Sequence, residues 1–343
     1  MPDARVLIDP SLERRLRLEA WDGLDDRERL ELGDRLAGRL RAHGWAVPGP
    51  MTLGTFGPPN APRSILQWRE PDLGMTFSLV PGGTLRPGYD EARLALFEEY
   101  RLRLDGEWDE EDLGPREYGQ VLPFGTEWPC DLRPRDPVQV APFFLATEPV
   151  RPSLPGLQAV SGLPDAYFEP RKRGPYDHPF MGDAIQFPWP RVGPTLEHYG
   201  WDLLASVEFE WALRGGSETL FYWGDNLPAF IRPERIPPEE KAAWQASFDE
   251  IMSADFDADR PVSWPWFNAF GLAAMLPLPT WCARSEVPGD PAPETIRGGA
   301  SYVFPWQWCG EWTLLLSAVE QRSEPGYGDD GVIRPAIRLV AGD

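Results

Sequence analysis

Between Leu203 and Asp225 the chain reads LLASVEFEWALRGGSETLFYWGD, a short helical pattern, a Gly-Gly stop and a Trp-Gly-Asp turn in that order. From Ser206 to Arg214, Val207 and Trp211 fall on one helix face and Phe209 and Leu213 on another, so both sides can be buried. Gly215 can supply the positive φ that ends the helix. In Trp223-Gly224-Asp225, glycine lets the backbone reverse and the aspartate can bond its own chain. These residues serve folding first.

The rest of the chain is irregular. Forty Pro and 33 Gly among 343 residues limit regular elements, yet 16 Trp and 17 Phe supply the large buried areas that disordered chains lack. A real core is therefore expected. The balance of 33 Lys+Arg against 54 Asp+Glu gives a net charge of -21, which repels phosphate backbones and anionic lipid. Nucleic acid and membrane surfaces are excluded as expected partners, and the acidity reads as solubility in preference to a docking surface. The opening MPDARVLIDPSLERR lacks the apolar core of a secretory signal, and the longest apolar run, Phe270 to Ala283, is too short and proline-broken to span a bilayer. The expectation is a soluble, cytoplasmic protein.

Three cysteines, Cys130, Cys282 and Cys309, include no close pair, which argues against a disulfide framework and against structural zinc. Imidazole chemistry has only His43, His178 and His198 to draw on.

Residues 11–44 read as two helices. Ser11 is positioned to cap the first, which carries Leu12, Leu16 and Trp21; Asp25 and Glu28 form a capping-box pattern before Leu32, Leu36 and Leu40, and Gly44 closes the second. A Pro- and Gly-rich linker, Val47 to Pro62, follows. The division is thus residues 1–62, a helical hairpin with its linker, and residues 63–343, the main domain, on which the hairpin packs as an extension. A further helix is predicted over Asp90–Leu104, with the acidic run EWDEEDLG after it as a solvated loop. Strands are predicted over Met75–Val80, Val138–Leu145 and Ile333–Val340.

Further anchors surround the opening segment in a recognisable order. They are Gly74-Met75-Thr76-Phe77 with Val80-Pro81-Gly82-Gly83-Thr84, then Val140-Ala141-Pro142-Phe143-Phe144-Leu145 with Glu148, and then His178-Pro179. Downstream come Asn268-Ala269-Phe270-Gly271-Leu272 with Met275, Arg297-Gly298-Gly299, and Ala336-Ile337-Arg338-Leu339. Taken in order over residues 74 to 340, these segments resemble the formylglycine-generating-enzyme family, also known as the sulfatase-modifying factors. The resemblance implies an α+β, C-type-lectin-like fold with short twisted strands, long loops and little regular structure, preceded here by the helical hairpin.

The family's chemistry rests on a cysteine pair that binds copper after the RGGS turn. Here the segment is RGGASYVFPWQWCGEW. Registered on Ser301-Tyr302, Cys309 takes the second cysteine's place and Phe304 the first; registered on Arg297-Gly298-Gly299, the two places fall on Val303 and Trp308. The first cysteine is missing either way, and two thiolates are what suit Cu(I). Cys282 and Cys309 remain weak candidate metal ligands, with Cys282 read first as a small buried hydrophobe. Non-haem iron, as in sulfoxide-synthase relatives, would need several converging histidines, and one of the three here lies in the hairpin. Calcium ligands are also replaced, since Leu276 to Trp281 supplies no Asn or Glu oxygen. Asp255, Asp257 and Asp259 alternate as at the start of a calcium loop, but Arg260 stands where Gly is required and Trp266 where Glu is. No cofactor is expected.

What remains around the implied cleft is aromatic: Trp264, Trp266, Trp281, Tyr302, Trp306, Trp308 and Trp312, with Arg338. These residues read either as a Trp-rich core or as an apolar recognition surface, with Trp281, Tyr302, Trp306, Trp308, Trp312 and Arg338 as its ligand-binding candidates. In an extended Trp306-Gln307-Trp308 both rings project to one side. The leading expectation is a divergent family member without copper-dependent activity that binds a protein or small-molecule ligand. The alternatives are a metal-dependent oxidoreductase acting on a thiol with Cys309 as nucleophile or metal ligand, and a carbohydrate binder that stacks sugar on Trp306 or Trp308.

Overall fold

The computed structural model describes residues 2–57, 61–105, 117–121, 130–169, 184–221, 224–225, 268–273, 280–283, 294–297, 318, 320–322 and 330–342. Their architecture mixes helix and strand. Among the described residues the larger sheet has six strands: β1 (Arg5–Ile8), β2 (Thr52–Phe56), β3 (Arg63–Glu70), β4 (Met75–Val80), β9 (Phe143–Ala146) and β15 (Ala336–Ala341). Their spatial order is β1-β15-β9-β4-β3-β2. β1 joins β15 in parallel, and every other pairing in this sheet is antiparallel. The central strands are covered on both faces, so β9 reads Phe-Phe-Leu-Ala without a polar residue and is buried throughout.

Helix α1 (Pro10–Arg15) starts at Asp9, not at Ser11. The Asp9 carboxylate accepts the Leu12 N–H at 2.9 Å, and the Ser11 hydroxyl donates to that same carboxylate. The single helix expected across Leu12, Leu16 and Trp21 is also broken, into α1 and α2 (Leu18–Asp22). The cause is Gly82, whose N–H donates to Leu16 O (3.0 Å) and whose carbonyl accepts the Leu18 N–H (2.7 Å). These bonds divert the backbone groups a continuous helix would use.

Helix α3 (Asp26–Ala42) begins with the expected capping box of Asp25 and Glu28, buries Leu32, Leu36 and Leu40, and gives way to Gly44 just beyond its end. It packs against β1, β2 and β3. Beyond it, Trp45 meets Trp68 and Phe77 edge-on, each at 6.2 Å, while Trp68 and Phe77 stack at 5.3 Å. The stretch expected as a linker contains β2, which pairs with β3 over its whole length. The N-terminal segment therefore supplies both edge strands of the large sheet.

β4 occupies Met75–Val80 as expected. The strand expected over Val138–Leu145 is two: β8 (Val138–Val140), which pairs with β5 (Gly83–Leu85), and β9, which pairs with β4 and β15. They part at Ala141-Pro142, where proline has no N–H to offer a ladder. Of the stretch Ile333–Val340, the first three residues belong to a connection and the rest form β15, which runs on to Ala341. Helix α4 (Glu91–Asp105) follows the expected range, with the Asp90 carboxylate accepting the Arg93 N–H at 2.9 Å. The EWDEEDLG run lies outside the described residues.

A second sheet has the order β10-β14-β11-β12-β13, formed by Gln186–Pro188, Asp330–Val332, Thr280–Ala283, Glu294–Arg297 and Glu320–Arg322 respectively. β6 (Gln120–Val121) and β7 (Cys130–Asp131) make a short ladder. Helices α5 (Leu157–Ser161) and α6 (Trp189–Tyr199) precede α7 (Ser206–Arg214). Among the described residues no helix is long and apolar enough to cross a membrane.

Candidate functional site

Helix α7 covers the predicted range, and Val207, Trp211, Phe209 and Leu213 are all buried, so both of its apolar faces are in use. Gly215 ends it at φ 61°. Asn268 completes that end: its Nδ2 donates to the carbonyls of Ala212 and Leu213 (2.5 and 3.1 Å), and its Oδ1 accepts the N–H groups of Phe270 and Leu272 (3.0 and 3.2 Å). These are the orphan carbonyls of a helix C-terminus. Trp211 donates Nε1–H to Pro81 O at 2.7 Å. Its ring fills the space a side chain at position 83 would need, since a Cβ on Gly83 would lie 2.5 Å from it.

Glu210, in the middle of α7, is fully buried. Its carboxylate accepts from Arg214 (2.6 Å), from the Gly88 N–H (3.1 Å) and from Arg297 of β12 (3.4 Å), with Arg135 3.8 Å away. Arg297 also donates Nε–H to Ser206 Oγ at 2.7 Å, and Arg214 donates to Gly88 O at 2.6 Å while lying over the Tyr89 ring. Guanidinium groups and a backbone N–H take the place of the water that this buried carboxylate has lost.

The N-terminal end of α7 holds Arg338 of β15. Its Nε donates to Asp202 (2.6 Å), its Nη2 to Leu203 O (2.7 Å) and its Nη1 to Glu208, which also accepts the Ala205 N–H. Burial pulls the Arg338 pKa down, but Glu208 and Asp202 outweigh it and the net shift is upward. This ligand-binding candidate thus ties α7 to β15. Arg338 also lines a cavity of about 240 Å³, together with Glu13, Pro142, Phe143, Glu208 and Val340.

The other candidates are distributed differently. Cys282 is buried on β11, opposite Thr295 of β12, with its thiol directed at the Thr280 carbonyl 3.7 Å away. That is the position of a small buried side chain. Trp281 precedes it on β11, opposite Ile296. Tyr302, Trp306, Trp308, Cys309 and Trp312 lie outside the described residues, as do His178, Trp264, Trp266, the Asp255–Asp259 run and the side chain of Trp281. Asp225 fulfils its expected role, its carboxylate accepting the Leu220 N–H at 2.8 Å. His43 is engaged by Leu7 and Arg39, and His198 meets the Tyr199 ring edge-on. Among the described residues, no group of three or more His, Cys, Asp or Glu side chains could hold a metal ion.

Two polar centres were not anticipated. One is the Glu210 cluster, whose signal was present as a Glu and an Arg at i, i+4 within a helix apolar on both faces. The other is Arg334, fully buried between β14 and β15. It donates to the carbonyls of Ala146, Thr147 and Ala273 at 3.0, 2.7 and 2.7 Å, and burial brings its pKa down to about 9. Its signal was a charge inside the apolar run Val332-Ile333-Arg334-Pro335-Ala336-Ile337.

The chain matches no model of a known protein family and no functionally curated protein.

Proposed function

We propose that this chain is a divergent relative of the formylglycine-generating enzymes, with a C-type-lectin-like α+β fold. In this reading it lacks copper-dependent activity and works as a binding module for a protein, small-molecule or glycan ligand. The ligand surface is assigned to the segment from Trp281 to Trp312, where Tyr302, Trp306, Trp308 and Trp312 supply rigid aromatic area.

One observation carries the reading. The segments on which the resemblance rests, Pro81 to Gly83, Glu210 to Gly215, Asn268, Arg297 and Arg338, meet around α7, and the contacts described for them are internal bonds. Residues that behave in this way maintain a scaffold, and function then depends on what is grafted onto it. The segment that would carry the family's copper site keeps one cysteine in place of two. Cys282, the nearest substitute in sequence, is turned toward a backbone carbonyl.

The test is a metal and turnover assay on the full chain. Copper and iron content after reconstitution, together with oxygen consumption in the presence of a cysteine-containing peptide, should stay at the level of a metal-free control. Stoichiometric metal that disappears in Cys309→Ser would replace the binding reading with the thiol oxidoreductase. In parallel, Trp306→Ala and Trp308→Ala should each abolish any hit found in a glycan or peptide array while leaving the unfolding midpoint unchanged.

A further inference from the structure

We infer that His43 guards the open edge of the six-stranded sheet and keeps β1 from pairing with a second copy of this chain. Among the described residues β1 ends the sheet on one side. Ala4 O accepts from Arg338 N and Ile8 O from Gly342 N, so these residues face β15, and by strand alternation the N–H groups of Arg5 and Leu7 point away from it. An outward row of this kind is a template for another strand.

Both outward donors are taken. The Arg5 N–H goes to the Asp3 carboxylate at 2.9 Å, and the Leu7 N–H goes to His43 Nε2 at 3.2 Å. The roles on the ring follow from its partners. The Arg39 carbonyl can only accept, so Nδ1 carries the hydrogen it receives at 2.9 Å, and Nε2 is left as the acceptor for Leu7. The N-terminal segment is fastened to the end of α3 from two further directions, by Asp3 N–H to His43 O (3.1 Å) and Trp45 Nε1–H to Asp3 O (2.8 Å).

The edge has reason to be guarded. Leu7 is 51% exposed and Val340, its register partner on β15, is 37% exposed, so an apolar pair lies beside the outward donors. Two copies related by a two-fold axis would bring their β1 strands together antiparallel, each burying this pair against the other. A histidine that merely filled space at the end of α3 would have no bearing on association.

The experiment compares full-length wild type, His43→Leu and His43→Gln by light scattering across a wide concentration range. His43→Leu, which keeps bulk but has no acceptor, should show a concentration-dependent doubling of mass relative to wild type. His43→Gln, whose amide oxygen can accept the Leu7 N–H, should not. Adding Leu7→Lys to His43→Leu should return the mass to the wild-type value by placing charge at the edge. A folded His43→Leu that keeps the wild-type mass throughout overturns the inference, as does association that Leu7→Lys fails to suppress. If His43→Leu does not fold, amide exchange on the wild type decides: slow exchange at Arg5 and Leu7 supports the guard, and exchange at the rate of an unstructured chain overturns it.

Discussion

Asn268 donates to the carbonyl of Leu213 at 3.1 Å, closing helix α7 from a point 55 residues further along the chain. A helix C-terminus leaves carbonyls that need donors, and here one amide side chain serves Ala212 and Leu213 while its oxygen holds the turn from Asn268 to Leu272. Asn268→Ala would strand buried groups on both sides. We expect a loss of about 2–4 kcal/mol in denaturant unfolding, and a nearly unchanged midpoint would show that water replaces the side chain without penalty.

The ion cluster at Glu210 predicts a larger effect. Glu210→Gln keeps the shape but removes the negative charge that Arg214 and Arg297 share in the interior. Breaking a buried pair from one side costs about 3–5 kcal/mol, because the remaining charges stay desolvated. The second replacement, Arg297→Met in the same background, should return part of that loss. Additive losses in the double variant would mean that the two residues are not coupled.

The sequence revealed local rules better than long-range ones. The limits of α7 and β4, the capping box at Asp25 and Glu28 and the turn at Asp225 follow from spacing within a few residues, and each is present. Where distant segments compete for the same backbone groups, local patterns misled. Gly82 breaks the first helix at Leu16 and Leu18, and Pro142 separates β8 from β9, so apolar runs that read as continuous divide between partners. Arg338 shows the same limit at the candidate site: its place in a motif carried no sign that Asp202 and Glu208 hold it. Those partners lie 136 and 130 residues away, a distance no spacing rule reaches.

Glu70 gives a pH prediction. It is buried at the end of β3, with its carboxylate accepting the Leu73 N–H at 2.6 Å. Burial, with a smaller push from the Asp72 charge, raises its pKa above the ordinary 4.5 despite that hydrogen bond. The folded state therefore holds the proton more tightly than the unfolded one. The stabilising contribution is complete below pH 4.5 and is lost as pH rises through the raised value. Glu70→Gln keeps an acceptor for Leu73 and cannot titrate. The stability of wild type relative to this variant should be flat in acid and should fall as pH climbs past 4.5; a difference that grows with pH would contradict the assignment.

Arg338→Lys separates a structural clamp from a ligand contact. The guanidinium fork serves Asp202, Glu208 and the Leu203 carbonyl together, a geometry that a single ammonium on a flexible stem does not reproduce. The expected cost is about 1–3 kcal/mol of stability, with faster amide exchange at the N-terminal turn of α7, where Glu208 would lose its partner. Any ligand that binds through the Trp281 to Trp312 segment should keep its affinity below the variant's unfolding temperature. If the affinity falls while the exchange rate of α7 stays at the wild-type level, Arg338 contacts the ligand directly and the clamp is secondary.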